Sequence, residues 1–273
     1  MSGTVKTRLV HLTPVLASLL FGVICAFILL AAPIDLYSVT PFQEGIGSLG
    51  NAAYFVVLVG TGATILYILL KRKNLRIVTL ITGFALTTAT LMLSTVYLDA
   101  VLLILNTPYP DVLALVLSLV VTVSAVLVIF RTHGSLSNIT ILSLGGALGT
   151  FLGSAIPTLS TILILGFLAV YDTFAVYRGP VGKIARGGLE HLRGLSYSFK
   201  DIEMGLGDLT FYSMLSGHML LNFGYMACLA AIVGILVGCV LSFKMLEKKG
   251  MFPGLPFPVL FGLSAGLLAT LIH

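Results

Sequence analysis

Tyr171-Asp172 and, further along the chain, Gly205-Leu206-Gly207-Asp208 put two carboxylates inside sequence that otherwise reads as bilayer-spanning. A charged side chain at the centre of a lipid-embedded helix costs about 2.5–3.5 kcal/mol on insertion scales. Acids at such depth persist where they pair, line a water-filled cavity or do chemistry. Asp172 and Asp208 are 36 positions apart, on neighbouring segments of opposite direction, so they can face one another. The expectation is an aspartyl dyad. The plainer alternative is that each Asp only bonds Ser, Thr or Tyr neighbours between helices.

The surrounding composition fixes the class. Hydrophobic residues make up 58% of the 273 residues and charged residues 9%, with a mean hydropathy of +1.11. That excludes a soluble domain and makes the spanning helix of about 20 residues the unit of reading. The net charge of +5 matters through where the basic residues sit, not through an anionic partner, and no nucleic acid is expected. Cys25, Cys228 and Cys239 all fall in apolar runs, which points to free thiols and against a disulfide framework or a zinc site. Lys6 and Arg8 precede an apolar run without a convincing cleavage site. It reads as a retained first helix, with a signal peptide as the alternative.

The expected fold is all-α, a polytopic membrane protein with nine transmembrane helices. The segments are approximately 10–32, 51–70, 76–98, 111–130, 138–156, 158–178, 206–223, 225–245 and 256–272. They divide the chain into helices one to six (1–178), a loop (179–204) and helices seven to nine (205–273), all in one membrane domain. With this count all fifteen Lys and Arg residues fall on one side. The opposite loops hold only Asp35, Glu44, Asp99 and Asp111. The positive-inside rule then makes the N-terminus cytoplasmic and places the C-terminus outside. Arg178 and the loop together carry five basic residues, and the loop can hold a short interfacial helix around Lys183 to Leu195, weakened by Gly187, Gly188 and Gly194. Asn138-Ile139-Thr140 matches a glycosylation acceptor but lies on the cytoplasmic side, and is read as a chance match.

Depth supports the pairing. Asp172 precedes the interfacial Arg178 by six residues, about 9 Å at helical rise. Asp208 follows Glu203 by five, about 7 Å if that segment is helical. Both acids then sit in the cytoplasmic half of the bilayer. A dyad works when one carboxylate takes a proton from water while the other, protonated, donates to the substrate carbonyl. Two such groups a few ångströms apart share one proton. No metal or cofactor is needed. Gly205 and Gly207 allow close approach of a substrate backbone or a helix, and loosen the start of the helix through Leu206. Pro253-Gly254-Leu255-Pro256 opens the ninth helix at the same level. Alone it is an ordinary proline-led helix start; beside two acids it is a candidate wall of the site.

Tyr171-Asp172, Gly205-Leu206-Gly207-Asp208 and Pro253-Gly254-Leu255, in that order, resemble the Tyr-Asp, Gly-x-Gly-Asp and Pro-Ala-Leu motifs of the presenilin and signal peptide peptidase family. The likeness is greater to the compact archaeal homologues and spans the whole chain. It implies an intramembrane aspartyl protease with Asp172 and Asp208 as the catalytic pair and Pro253 to Leu255 shaping the site. Substrates would be single-span transmembrane proteins that unwind locally, paired by strand addition to the loop after helix six or to the segment before helix nine. Gly254 replaces the motif's Ala, a small-for-small change expected to preserve shape while altering efficiency. The loop lacks the extended apolar segment cut during presenilin maturation, so autoproteolytic activation is not assumed.

Other features take plainer readings. Gly145, Gly149 and Gly153, Gly234 and Gly238, and Gly262 and Gly266 recur every four residues. They are expected to pack helices within the monomer, with a homo-oligomer interface as the alternative. His218 lies about 15 Å beyond Asp208 along the helix and suits an interhelical hydrogen bond. Tyr171 points away from its neighbour Asp172 and suits packing. The hydroxyl-rich third helix bonds its own backbone. Two rival functions remain. One is a prepilin or preflagellin leader peptidase, which also uses paired aspartates but lacks the Tyr-Asp and Pro-x-Leu elements. The other is a proton-coupled transporter or cation leak pathway, for which no inverted repeat is recognisable.

Overall fold

The computed structural model describes residues 9–34, 38–72, 74–132, 134–179, 196–199, 202–249 and 251–272. Nine α-helices occur among them: α1 (Thr13–Ala31), α2 (Gly47–Lys71), α3 (Leu75–Ile104), α4 (Pro110–Arg131), α5 (Ser135–Ala155), α6 (Thr158–Tyr177), α7 (Leu206–Phe223), α8 (Tyr225–Lys249) and α9 (Pro256–Ile272). A strand pair, β1 (Ser196–Phe199) and β2 (Ile202–Gly205), precedes α7. Seven helices, all except α7 and α9, are long and apolar enough to cross a membrane. The chain is an integral, multi-pass membrane protein. In lipid every backbone N–H and C=O must be bonded internally, which is why apolar runs of this length become helices.

The two exceptions have physical causes. The α9 helix is short, with 17 residues. The α7 helix is polar because it is central, packing against α1, α5, α6, α8 and α9. Its Thr210, Ser213, Ser216 and His218 are buried among those neighbours, so it needs no lipid-facing apolar surface. By contrast α2 buries only Ser48, Asn51 and Ala52 and lies mainly along α6.

Small residues set the spacing around α7. On α5, Gly145 lies against Leu206 and Leu209, Gly149 against the backbone of Thr210 and Met214, and Gly153 against Met214 and His218. On the adjoining face of the same helix, Gly146 meets the Ser18 carbonyl of α1. Gly234 and Gly238 of α8 contact Phe261 and Pro258 of α9, while Gly262 and Gly266 pack on α7 and α8 side chains. These glycine rows therefore pack within the chain. His218 Nδ1 lies 2.7 Å from the Gly153 carbonyl oxygen and Nε2 lies 3.2 Å from Thr158 Oγ1, an interhelical link. In α3 the hydroxyls of Thr79, Thr82, Thr87, Thr90, Ser94 and Thr95 bond carbonyls one turn back.

Several boundaries differ from expectation. The α3 helix continues six residues past 98 to Ile104, because Val101-Leu102-Leu103-Ile104 stays apolar after the half-buried Asp99. The α2 helix begins at Gly47, where the Ser48 and Asn51 side chains bond Ser160 of α6. The end of the 179–204 loop is the β1–β2 pair, antiparallel with Ser196 opposite Gly205 and Phe199 opposite Ile202. The interfacial helix expected around Lys183 to Leu195 lies outside the described residues.

Candidate active site

The α6 helix carries Asp172 in its last two turns. The second acid, Asp208, is the third residue of α7, directly after β2 ends at the extended Gly205. Unbonded N–H groups and the positive end of the helix dipole favour a carboxylate there, and the Gly205 N–H faces it. The segment from Glu203 to Gly205 is extended rather than helical, with about 3.3 Å rise per residue, so the helical depth of about 7 Å for Asp208 does not hold. The two acids nevertheless converge, because consecutive residues of a third segment lie against both.

That segment is Pro253-Gly254-Leu255. The Leu255 N–H donates to Asp172 Oδ2 at 3.0 Å. Next to it, Gly254 lies so close to Asp208 that an added Cβ would come within 2.6 Å of Oδ2 and 2.8 Å of Cγ. Asp208 also stands in the electrostatic field of Asp172. Both acids are half-buried. The residue at 254 is therefore fitted to the carboxylate. A methyl group at 254 would press on the end of the Asp208 side chain, so the small-for-small change of Gly for the motif's Ala bears directly on where that carboxylate sits.

The remaining expected site residues divide into two groups. Pro253 and Leu255 are buried, and Pro256 begins α9, with the Val259 N–H bonded to the Leu255 carbonyl. Gly205 lies beside Asp208, and Gly207 is exposed and faces the Phe211 ring. Away from the acids, Leu206 packs its side chain on Gly145 of α5. The Tyr171 ring lies against Gly60 of α2, where an added Cβ would sit 3.3 Å from its hydroxyl. It thus turns away from the acids.

One residue in this arrangement was not singled out by sequence. Tyr212 is 1% exposed and donates its hydroxyl to the Gly254 carbonyl at 2.8 Å. It follows Asp208 by four positions, the spacing that puts two side chains on one helix face. That spacing was the available signal. The Cys239 thiol of α8 lies beside the same hydroxyl. Among the described residues no group of three or more His, Cys, Asp or Glu side chains gathers in a way that could hold a metal ion.

No family model matches the sequence, and no curated protein matches it. Solved structures do. A presenilin family intramembrane aspartate protease in space group C222 superposes with a TM-score of 0.67 at 20% identity, covering 98% of this chain and 100% of that one. Such a protease in space group P2 gives 0.65 at 21% identity, covering 95% and 96%. At these identities the likeness is one of fold. Over nearly its whole length, the chain has the fold of the presenilin family intramembrane aspartate proteases.

Proposed function

We propose that this chain is an intramembrane aspartyl protease that hydrolyses peptide bonds within transmembrane helices, using Asp172 and Asp208 as its catalytic pair. The observation that carries the reading is the convergence of both carboxylates on Gly254 and Leu255, within a fold shared with proteases of that kind. A water held between the acids loses a proton to the ionised carboxylate and attacks the scissile carbonyl carbon. The protonated partner gives its proton to the carbonyl oxygen, forming a tetrahedral diol. Collapse returns a proton to the amide nitrogen and breaks the C–N bond. The two groups share one proton because both cannot ionise at short range. Both acids come from one chain, so a monomer holds the complete pair.

In this reading all nine helices cross the bilayer, the basic loops are cytoplasmic and the site lies in the cytoplasmic half. Substrates are single-span proteins. Their helical peptide bonds are shielded, so the segment to be cut unwinds and needs new backbone partners in lipid surroundings. The β1–β2 pair, ending at Gly205, and the segment before α9 would supply them by strand addition.

The test is cleavage of a single-span reporter by purified protein in liposomes, with product termini determined by mass spectrometry. The reading predicts cuts inside the apolar span. Cuts confined to a juxtamembrane leader would favour the leader peptidase, and acid-dependent ion flux without cleavage would favour transport. Proline substitutions scanned along 196–205 and 251–255 should impair cleavage selectively. Indifference to them would remove strand addition from the account.

A further inference from the structure

A cavity of about 360 Å³ lies between α1, α3, α4 and α5, lined on α5 by Thr140, Ser143, Leu144 and Ala147 and not by the Gly145, Gly149 and Gly153 row that faces α7. Phe21, Ile24, Leu93, Leu98, Val121 and Leu144 are among its walls. It is more than twice the volume, about 150 Å³, at which an apolar engineered cavity stays dry and takes up benzene. An empty space of this size forfeits packing contacts in proportion to its volume, so an occupant is favoured.

The walls say what kind of occupant. Five hydroxyl-bearing side chains reach the cavity, those of Thr90, Ser94, Tyr97, Thr140 and Ser143. Four of them are already spent on backbone carbonyls: Thr90 on Leu86, Ser94 on Thr90, Tyr97 on Ala147 and Thr140 on Leu136, at 2.6 to 2.9 Å. Their hydrogens are thus given away, and the surface that the walls turn to the cavity is almost wholly apolar, whereas a trapped water needs two to four polar partners. The boundary also reaches the lipid-facing surface, since Phe21 is 37%, Ile24 57% and Val121 43% exposed. In a membrane protein the medium at that boundary is hydrocarbon.

We infer that this cavity is a binding site for an acyl chain of a membrane phospholipid, entering sideways from the bilayer between α1 and α4. The inference rests on the chain being embedded in a membrane and is independent of its proteolytic activity.

The chain contains no Trp, so a single introduced indole reports alone. Leu98→Trp would place one in the cavity wall, and Leu127→Trp, at a position 46% exposed, would place one on the lipid-facing surface. Each variant in detergent would be titrated with phosphatidylcholine brominated on its acyl chains. The site predicts saturable quenching of the Leu98→Trp emission by about half at low lipid mole fraction. The Leu127→Trp emission should fall only in proportion to that fraction. Adding Ala125→Phe or, separately, Ala147→Leu to fill the space should abolish the saturable phase, with helical content by circular dichroism unchanged in at least one of the two. Proportional quenching in both Trp variants, or saturable quenching that survives both fillings, would overturn the site. Saturation by a brominated free fatty acid but not by the phospholipid would overturn the assigned source.

Discussion

Gly254→Ala adds one methyl group at the point where the third segment meets Asp208. The new Cβ would stand 2.6 Å from Oδ2, whereas ordinary contact begins at 3.4 Å, so the carboxylate or the segment must yield by 3.4 − 2.6 = 0.8 Å. Gly254 is not among the positive-φ glycines, so alanine brings no backbone strain and the effect is steric. Misplacement of a reacting group by about 1 Å can cost about 10²-fold in rate, and overpacking costs about 1–3 kcal/mol. The expected outcome is a ten- to hundredfold loss of kcat, with a drop in thermal stability at the low end of that range because Asp208 is half-buried. The assay is reporter cleavage in liposomes under single-turnover conditions, beside a melting curve in detergent. Wild-type or higher activity would refute the reasoning. It would mean that the aspartates sit farther from the segment during catalysis.

Three further substitutions probe the supports of the site. Tyr212→Phe removes the donor to the Gly254 carbonyl. It should cost about 1–3 kcal/mol of stability and lower kcat more than it alters KM, and unchanged melting and kinetics would remove Tyr212 from the site. Gly149→Ala drives a Cβ into the backbone of α7 at Thr210 and Met214. A loss of about 3 kcal/mol is expected, and a wild-type melting temperature would contradict the close α5–α7 approach. His218→Leu breaks the links to Gly153 and Thr158. It should destabilise by about 1–3 kcal/mol while leaving the pH profile of the remaining activity in place; a shifted profile would draw His218 into the chemistry.

Helices and site were legible in the sequence to different depths. Apolar run lengths and the placement of Arg and Lys located the helices within a few residues, because lipid imposes one solution on such runs. Asp99 misplaced the end of α3, since a half-buried acid near a helix end looks like a loop residue when only its charge is read. The polar character of α7 was visible, but its cause, a central position among five helices, is a tertiary fact. Ser196-Tyr197-Ser198-Phe199 is too short an alternation to announce a strand, and its partner only begins at Ile202. The meeting of Gly254 with Asp208 and of Leu255 with Asp172 joins segments distant in sequence. The resemblance of the three motifs pointed to such a meeting without giving the fit of a hydrogen atom, and not a methyl, against the carboxylate.

The most direct test of the account is cleavage of one single-span reporter by wild type, Asp172→Asn and Asp208→Asn, each shown by its melting curve to be folded. The account predicts that either substitution alone abolishes cleavage, because an amide can neither take the proton from water nor share one with its partner. Cleavage that survives both single changes would contradict the aspartyl pair.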